Sequence, residues 1–508
     1  MTEMILVNAE EFETRVALFE NGALTEVFIE RDRERGIVGN IYKGRVLRVL
    51  PGMQAAFVDI GLERSAFLYV AEISQSDSVF FHEDELEGLD QKEKRKVLNG
   101  EAQIQDLVKE GQEVLVQVLR EPLSEKGAQI TTYVTLPAYH LVYMPETRHI
   151  GVSRKIEDER VRVQLRKLVE SLRPDGSCGF IIRTSSAFAG ESAIKADVDY
   201  LTKKWNHIKD KAIRSRTPSL VYQELELEFR ILREYFSSET EKVIVDHPGR
   251  FEGIKNFLRQ TNPERQNVAE LWAGPEPLFD RYGIELELDR AMDKRVWLKS
   301  GGFIILDETE ALTTIDVNTG KYVGRRDFEE TILKTNLEAA KEVVSQLRFR
   351  NVGGIIIIDF IDMSRFKNRE KVSDALKAEL SKDKAKSVVV RISEIGLTEM
   401  TRKRTSKSMA KKLSEPCPYC EGKGYLKSRR TIAYGIFRDL ARNRKELSGK
   451  TIKLFVNPVV AELLMADEKR LLDLLLERHQ IRVKVEIMDN FHQEQYEYHQ
   501  LVPDQQAQ

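Results

Sequence analysis

Two hydrophobic rhythms alternate along the chain, and the switches between them outline its parts. Residues 1–35 carry strand-like runs at Ile5-Leu-Val, Thr14 to Phe19 and Leu24 to Ile29, separated by turn signals such as Asn21-Gly22. This pattern predicts an opening antiparallel meander. Period-two runs continue over about 36–132, at Asn40 to Leu50, Gln54 to Ile60, Ser65 to Val70, Glu113 to Leu119 and Ala128 to Thr135. Five short strands with glycine turns predict a small barrel of the OB type. Between the third and fourth runs, residues 75–106 are polar, mainly acidic and helix-prone, which predicts a surface insertion.

From 133 to 215 the periods mix. A charged helix is predicted over roughly Glu157 to Ser171. A strand follows at Gly179-Phe-Ile-Ile-Arg183-Thr184, ending on a cation and a hydroxyl, and then a long charged helix over 190–215. Strand and helix alternate again through Val243 to Asp246 and on to about 290. Gly301 to Asp307 then predicts a hairpin with Ala311 to Asn318. A helix from Phe328 to Arg350 follows the capping-box pattern Asp327-Phe-Glu-Glu330. The Ile355–Ile358 run, a further helix and Ser387 to Ile392 complete an α/β layer. After Cys420 comes a smaller α/β segment, with a polar, disordered-looking tail from about 490.

At 508 residues the chain is too long for one core, and about three to five domains are expected. The fold class is therefore multidomain α/β. A composition of 41% hydrophobic and 32% charged residues is ordinary for a soluble protein. No apolar stretch approaches the roughly 20 residues of a membrane helix. The N-terminus has no basic run ahead of its apolar residues, so no signal peptide is expected. Three cysteines, Cys178, Cys417 and Cys420, make no disulfide framework. These features predict a cytoplasmic location and no membrane partner. A formal charge of −2 excludes nucleic-acid binding by bulk electrostatics. Any such binding must use local basic stretches, such as Lys43-Gly-Arg45-Val-Leu-Arg48 or Arg402-Lys-Arg404 with Lys407, Lys411 and Lys412.

Chemistry concentrates at two strand ends, Asp316 in Leu312-Thr-Thr-Ile-Asp-Val-Asn318 and Asp359 in Gly354-Ile-Ile-Ile-Ile-Asp359. Four consecutive isoleucines predict a strand buried on both faces, where an ionised carboxylate needs a partner. Magnesium suits such a place, because it takes one or two carboxylates and leaves its other positions to water and phosphate. Asn318 lies two residues beyond Asp316 and shares its face, where it can orient a ligand. Asp362 would face the opposite way. A purely structural alternative has Asp316 and Asp359 capping turns.

Cys417-Pro-Tyr-Cys420-Glu-Gly-Lys-Gly424 has zinc-knuckle spacing. A structural zinc takes about four ligands, yet the chain holds no second such pair, and His247 and His479 are distant in sequence. Two chains that each give two thiolates would complete one site, so the count predicts a homodimer around a shared Zn2+. The alternative is a reduced pair at a tight turn. In the predicted barrel, Phe57, Phe67 and Tyr69 lie among Lys43, Arg45, Arg48 and Arg64. Aromatics between cations suit single-stranded nucleic acid, although strand aromatics are more often core. Arg183 and Thr184 can grip a phosphate by charge and hydroxyl. Cys178 reads as a buried small residue.

Together these stretches resemble the ribonuclease E/G family over nearly the whole chain. The resemblance rests on Gly39-Asn-Ile-Tyr-Lys-Gly-Arg-Val, Ala56-Phe-Val-Asp-Ile-Gly, Ile182-Arg-Thr184, Glu310 to Asn318, Thr335-Asn-Leu-Glu-Ala-Ala340, Gly353 to Met363 and the two cysteines. It implies an RNase-H-like subdomain split between 1–35 and 216–285, and an S1-type RNA-binding barrel at 36–132 carrying the insertion 75–106. It further implies a 5′-sensor domain at 133–215 and a DNase-I-like catalytic subdomain at 286–400. A zinc link at 401–427 and a small dimerising domain at 428–508 complete the chain, without the long C-terminal scaffold that some members carry.

Carried over by motif, Asp316 and Asp359 hold Mg2+ and Asn318 assists. Arg183, Thr184 and the backbone of Val142 engage a 5′-monophosphate. Phe57, Phe67 and Lys126 contact RNA, and Cys417 and Cys420 share zinc with a second subunit. The implied activity is magnesium-dependent endonucleolytic cleavage of single-stranded A/U-rich RNA, including rRNA precursors and mRNA. The rivals are a non-catalytic RNA-binding assembly factor dimerised through zinc, and a metal-dependent phosphatase or DNA nuclease.

Overall fold

The computed structural model describes residues 2–73, 103–122, 127–174, 176, 178–320, 328–390, 393, 397–404 and 406–501. The chain divides into two units, Met1–Met409 and Ala410–Gln508. Most of the acidic stretch 75–106, Lys126 and the capping residue Asp327 lie outside the described residues.

Among the described residues the first unit contains four sheets. The opening meander Glu3–Ala9, Glu13–Glu20 and Ala23–Arg31 is antiparallel, as its alternation predicts. Thr240–Val245 adds to it in parallel, with Ile5 opposite Val243, and Ala269–Leu271 follows at the edge. Alternate positions such as Ile5, Val7, Val16 and Leu18 pack against Leu232, Ile254 and Leu258 from two covering helices.

Strands Ile41–Leu50, Ala55–Asp59, Ala66–Tyr69, Gln129–Thr131 and Glu113–Arg120 form a barrel, closed by pairing between the first and last of them. Val46, Val58, Leu68, Val116 and Ile130 fill it. Gly127 is required at its seam, because a Cβ there would lie 1.9 Å from the Ser65 carbonyl oxygen. Ser219–Tyr222 also pairs with Ile41–Leu50. These residues attach to the barrel sheet rather than to the 216–285 segment in which the sequence suggested they belong.

A third sheet, ordered Ile150–Val152, Gly179–Ile182, Leu141–Met144 and Leu136–Pro137, packs beside helices Glu159–Leu172 and Glu191–Arg214. Phe180, Val169 and Leu201 are in its core, and so is Cys178 at 3% exposure.

The fourth sheet has the order Arg295–Trp297, Phe303–Glu308, Leu312–Asn318, Gly354–Asp359, Leu397–Arg402, Ser387–Val389. The predicted hairpin pairs Phe303 with Asn318 and Glu308 with Thr313. Helices Phe328–Phe349 and Phe366–Leu380 bury Ile304, Ile315, Val317, Ile356 and Ile358 on one face.

Two expectations fail here, and one strand goes unread. Ile355 is 51% exposed and Ile357 half-buried, so the isoleucine strand is buried on one face only. Leu397–Arg402 is a strand that hydrophobic alternation does not reveal, because the residues it buries include Thr398 and Arg402. Arg402 is not part of a basic surface. It is 4% exposed and donates Nε to Asp383 Oδ2 at 2.6 Å, and a buried guanidinium requires such a partner.

The second unit packs helices Arg429–Arg442, Pro458–Met465 and Lys469–His479 with a three-stranded sheet. Ile452, Leu454 and Val456 of its central strand are fully buried. The expected disordered tail is overturned in part: Tyr496–Gln500 pairs antiparallel with Thr451–Val456 as an edge strand. Residues 502–508 lie outside the described residues.

Candidate active site

Strand alternation sends Asp316 and Asn318 to the face opposite the buried Ile315 and Val317. Asp359 leaves its own strand on that same open face, opposite Ile358. The two strands are parallel and in register, so Asp316 and Asp359 are direct neighbours. Asn318 donates Nδ2 to Asp316 Oδ2 at 2.8 Å, which orients the carboxylate and leaves the amide oxygen free to accept. Local desolvation raises the Asp359 carboxyl above its ordinary range, and the charges of Asp316 and Asp362 raise it further.

Among the described residues no third His, Cys, Asp or Glu joins this pair as a metal cluster. Two like-charged carboxylates on an open face nonetheless form a hard-oxygen donor set suited to magnesium. The residues present fit that ion.

The loops around the pair are held from beneath. Asn336, fully buried on helix Phe328–Phe349, donates Nδ2 to the Ile361 carbonyl at 2.8 Å. Its Oδ1 accepts from Ile361 N at 3.1 Å, so one side chain clamps the turn that follows Asp359. Glu338 accepts from Ser300 N at 2.9 Å and secures the turn before Phe303. Gly302 follows that turn, where a Cβ would lie 2.6 Å from the Asn318 carbonyl. Sequence reasoning missed Asn336. Its signal was available: it lies four residues from Ile332 and from Ala340, in phase with the buried helix face.

Arg183 follows strand Gly179–Ile182, and its backbone N donates to the His140 carbonyl. Its guanidinium forms a bidentate pair with Glu234 and also donates to the Ala138 carbonyl at 2.9 Å. Burial pushes Glu234 up, but Arg183 and Arg233 override it and leave the carboxyl below its usual range. Thr184 Oγ1 lies 3.0 Å from Ser153 Oγ. Val142 pairs with Ile181 on the adjacent strand, so the structure brings all three residues to one sheet end. The Glu234 partner had no sequence signal.

In the barrel, Phe57 and Phe67 face each other across paired strands with ring centroids 4.6 Å apart. Both are half-buried, with Tyr69 42% exposed beside them. Lys43 and Arg45 are both engaged by Glu113. Lys126 lies outside the described residues.

In the second unit, Cys417 and Cys420 lead into a tight turn in which Glu421, Gly422 and Gly424 all take positive φ. Gly424 N donates to Cys420 Sγ at 3.3 Å. Backbone amides of Cys420 and Tyr419 hold the Cys417 thiol below its usual range, an arrangement that favours thiolate. The nearby His492 is not a third ligand. One ring nitrogen contacts the Tyr419 carbonyl at 2.7 Å, and the other accepts from Glu494 N. Two thiolates fit half of a structural zinc site.

Comparison with known proteins shows the family. Residues 135–405 match the model of the Ribonuclease E/G family, residues 37–132 an S1 RNA binding domain, and residues 416–501 the thioredoxin-like domain of RNase E/G. Ribonuclease G of Haemophilus influenzae is 45% identical over 497 residues, covering 97% of this chain and 98% of that protein. Ribonuclease G of Escherichia coli K12 is 42% identical, covering 98% of this chain and 99% of that protein. Ribonuclease E of Escherichia coli K12 is 33% identical, and the match covers 99% of this chain but 46% of that longer protein. The chain belongs to the ribonuclease E/G family.

Proposed function

We propose that the chain is a magnesium-dependent endoribonuclease that cuts single-stranded, A/U-rich RNA, is stimulated by a 5′-monophosphate, and serves rRNA maturation and mRNA decay in the cytoplasm. Membership of the family and the likeness to two ribonuclease G proteins support the endoribonuclease activity. The observation that carries the site assignment is the in-register pair Asp316 and Asp359, with Asn318 hydrogen-bonded to one of them, on the open face of a sheet.

Asp316 and Asp359 would hold magnesium. When bound, the ion supplies an acidified water and a counter-charge for the phosphate. Asn318 keeps Asp316 in one rotamer and offers its amide oxygen to a water or a ribose hydroxyl. Water attacks phosphorus in line with the 3′-oxygen. The P–O3′ bond breaks, the 3′-oxygen takes a proton, and the 5′-phosphate stays on the downstream fragment. Phe57 and Phe67 offer ring faces to unstacked bases, and Lys126 is assigned a contact with the same RNA. Arg183 and Thr184, beside Val142, form the 5′-phosphate site.

In this proposal 1–35 and 216–285, apart from the barrel-paired Ser219–Tyr222, form an RNase-H-like subdomain, and 286–400 is a DNase-I-like one. Cys417 and Cys420 share a zinc with a second chain.

The test uses one RNA carrying a mono- or triphosphate at its 5′ end, with and without a chelator. Cleavage that stops on chelation and runs faster on the monophosphate supports the proposal. Equal decay with the chelator present, or an RNA that stays intact under all four conditions, overturns it.

A further inference from the structure

We propose that Trp297 and Phe303, with Arg295 laid across them, form a stacking platform for a nucleobase of single-stranded RNA on the same face as Asp316 and Asp359. The family match names no such site, and its S1 barrel is a separate domain.

The sheet register places it there. Trp297 pairs with Phe303, and Phe303 pairs with Asn318. One row along, Arg295 pairs with Ile305, Ile305 with Asp316, and Asp316 with Asp359. Residues paired across a sheet share a face, and neighbouring strands lie about 4.8 Å apart. The Trp297 backbone is therefore about two strand spacings, roughly 10 Å, from that of Asn318.

Trp297 is 63% exposed, an unusual state for the largest apolar side chain at a sheet edge. Its ring meets Phe303 edge-on at 5.4 Å. The Arg295 guanidinium carbon sits 4.6 Å from the Phe303 centroid and 5.7 Å from that of Trp297. An open indole face, a second ring beneath it and a cation held over both are the components by which proteins grip single strands.

The occupant follows from charge and continuity. An apolar peptide would gain nothing from Arg295, whereas a nucleotide matches it with both a π-face and a phosphate. The platform also continues the row of residues that ends at the carboxylate pair. Base stacking tolerates any base, so this site would add affinity and position without sequence readout.

The proposal rests on the assigned cleavage site only for which nucleotide is held, so it is tested by binding in chelator, where no metal-dependent cleavage occurs. A single-stranded oligoribonucleotide is titrated against the full chain, with tryptophan fluorescence and anisotropy as readouts. We expect indole quenching on binding, and affinity weaker by about 5- to 100-fold in Trp297→Ala. Trp297→Phe should retain most of the affinity. Trp297→Leu keeps apolar bulk without a π-face and should lose it, which guards against a folding effect. Arg295→Gln should reduce the salt dependence by about one phosphate contact. An RNA with one abasic nucleotide at the platform should bind the native chain and Trp297→Ala alike.

Unchanged affinity in both Trp297→Ala and Trp297→Leu overturns the proposal, as does a change in oligomeric mass alone, which would mean a second copy covers this face. Neither result bears on whether Asp316 and Asp359 cleave RNA.

Discussion

Asp316 and Asp359 stand opposite each other in register on two parallel strands, and neither carboxylate answers the charge of the other. The fold brings them together although 43 residues separate them, the difference between positions 359 and 316. Desolvation raises the Asp359 carboxyl, and the Asp316 charge beside it adds to the rise. A bound divalent cation would reverse that penalty.

Asn336 is predicted to set the position of Asp359 without touching substrate. Asn336→Ala removes the partner of the partly buried Ile361 N–H and carbonyl, at a cost of about 1 kcal/mol each. We expect a lower melting temperature, together with a fall in kcat larger than any change in KM. A variant that melts lower but keeps native kcat would show the clamp to be structural only.

The sheet that contains Leu141–Met144 and Gly179–Ile182 carries a compensated pair of titrating groups. Burial and the nearby Arg183 charge lower His140 from 6.5 to about 4, and its Nδ1 has no hydrogen-bond partner. Burial raises Asp197 from 3.8 to about 6 despite two backbone N–H donors. On acidification the unfolded chain takes up a proton that folded His140 refuses, so stability falls between pH 6.5 and 4. Folded Asp197 takes its proton earlier than the unfolded chain does, so stability rises between pH 6 and 3.8. Each effect is worth up to about 3 kcal/mol. Asp197→Asn should therefore be stabilising at pH 7, with the advantage gone by pH 4. A difference in urea midpoint that stays constant across this range would refute the assignment.

Glu234 occupies the guanidinium that an incoming 5′-phosphate would use. The pair is partly exposed, at 23% and 37%, so its strength is modest. Glu234→Gln should raise the preference for 5′-monophosphate over 5′-hydroxyl RNA by about two- to fivefold, read as a ratio of kcat/KM values. An unchanged ratio would remove Arg183 from the phosphate site.

The paired thiols predict one zinc for two chains. Cys417→Ser should lose the metal and halve the mass seen by light scattering. One zinc per chain in a monomer would contradict the shared site.

Particular residues show how much the sequence revealed. Asp316, Asn318 and Asp359 were legible because a strand end fixes which face each side chain takes. The openness of that face was not. Four isoleucines in a row erase the alternation that distinguishes a one-sided strand from a two-sided one, and Ile355 and Ile357 lie on the open face. Strand Leu397–Arg402 escaped because two of its inward residues, Thr398 and Arg402, are polar, and the partners of Arg402, Asp383 and the Val352 carbonyl, are distant in sequence. The Arg183–Glu234 pair spans 51 residues and joins two sheets' worth of chain, a contact that no local pattern encodes. The Tyr496–Gln500 strand was hidden by a composition that reads as a tail, yet it needs only backbone pairing and one half-buried face.

The most direct measurement compares Asp316→Asn with the native chain on one single-stranded RNA, following cleavage in magnesium and binding in chelator. Cleavage should fall by about a hundredfold or more, while affinity stays within about twofold. Native turnover in Asp316→Asn would show that the carboxylate pair is not where the RNA is cut.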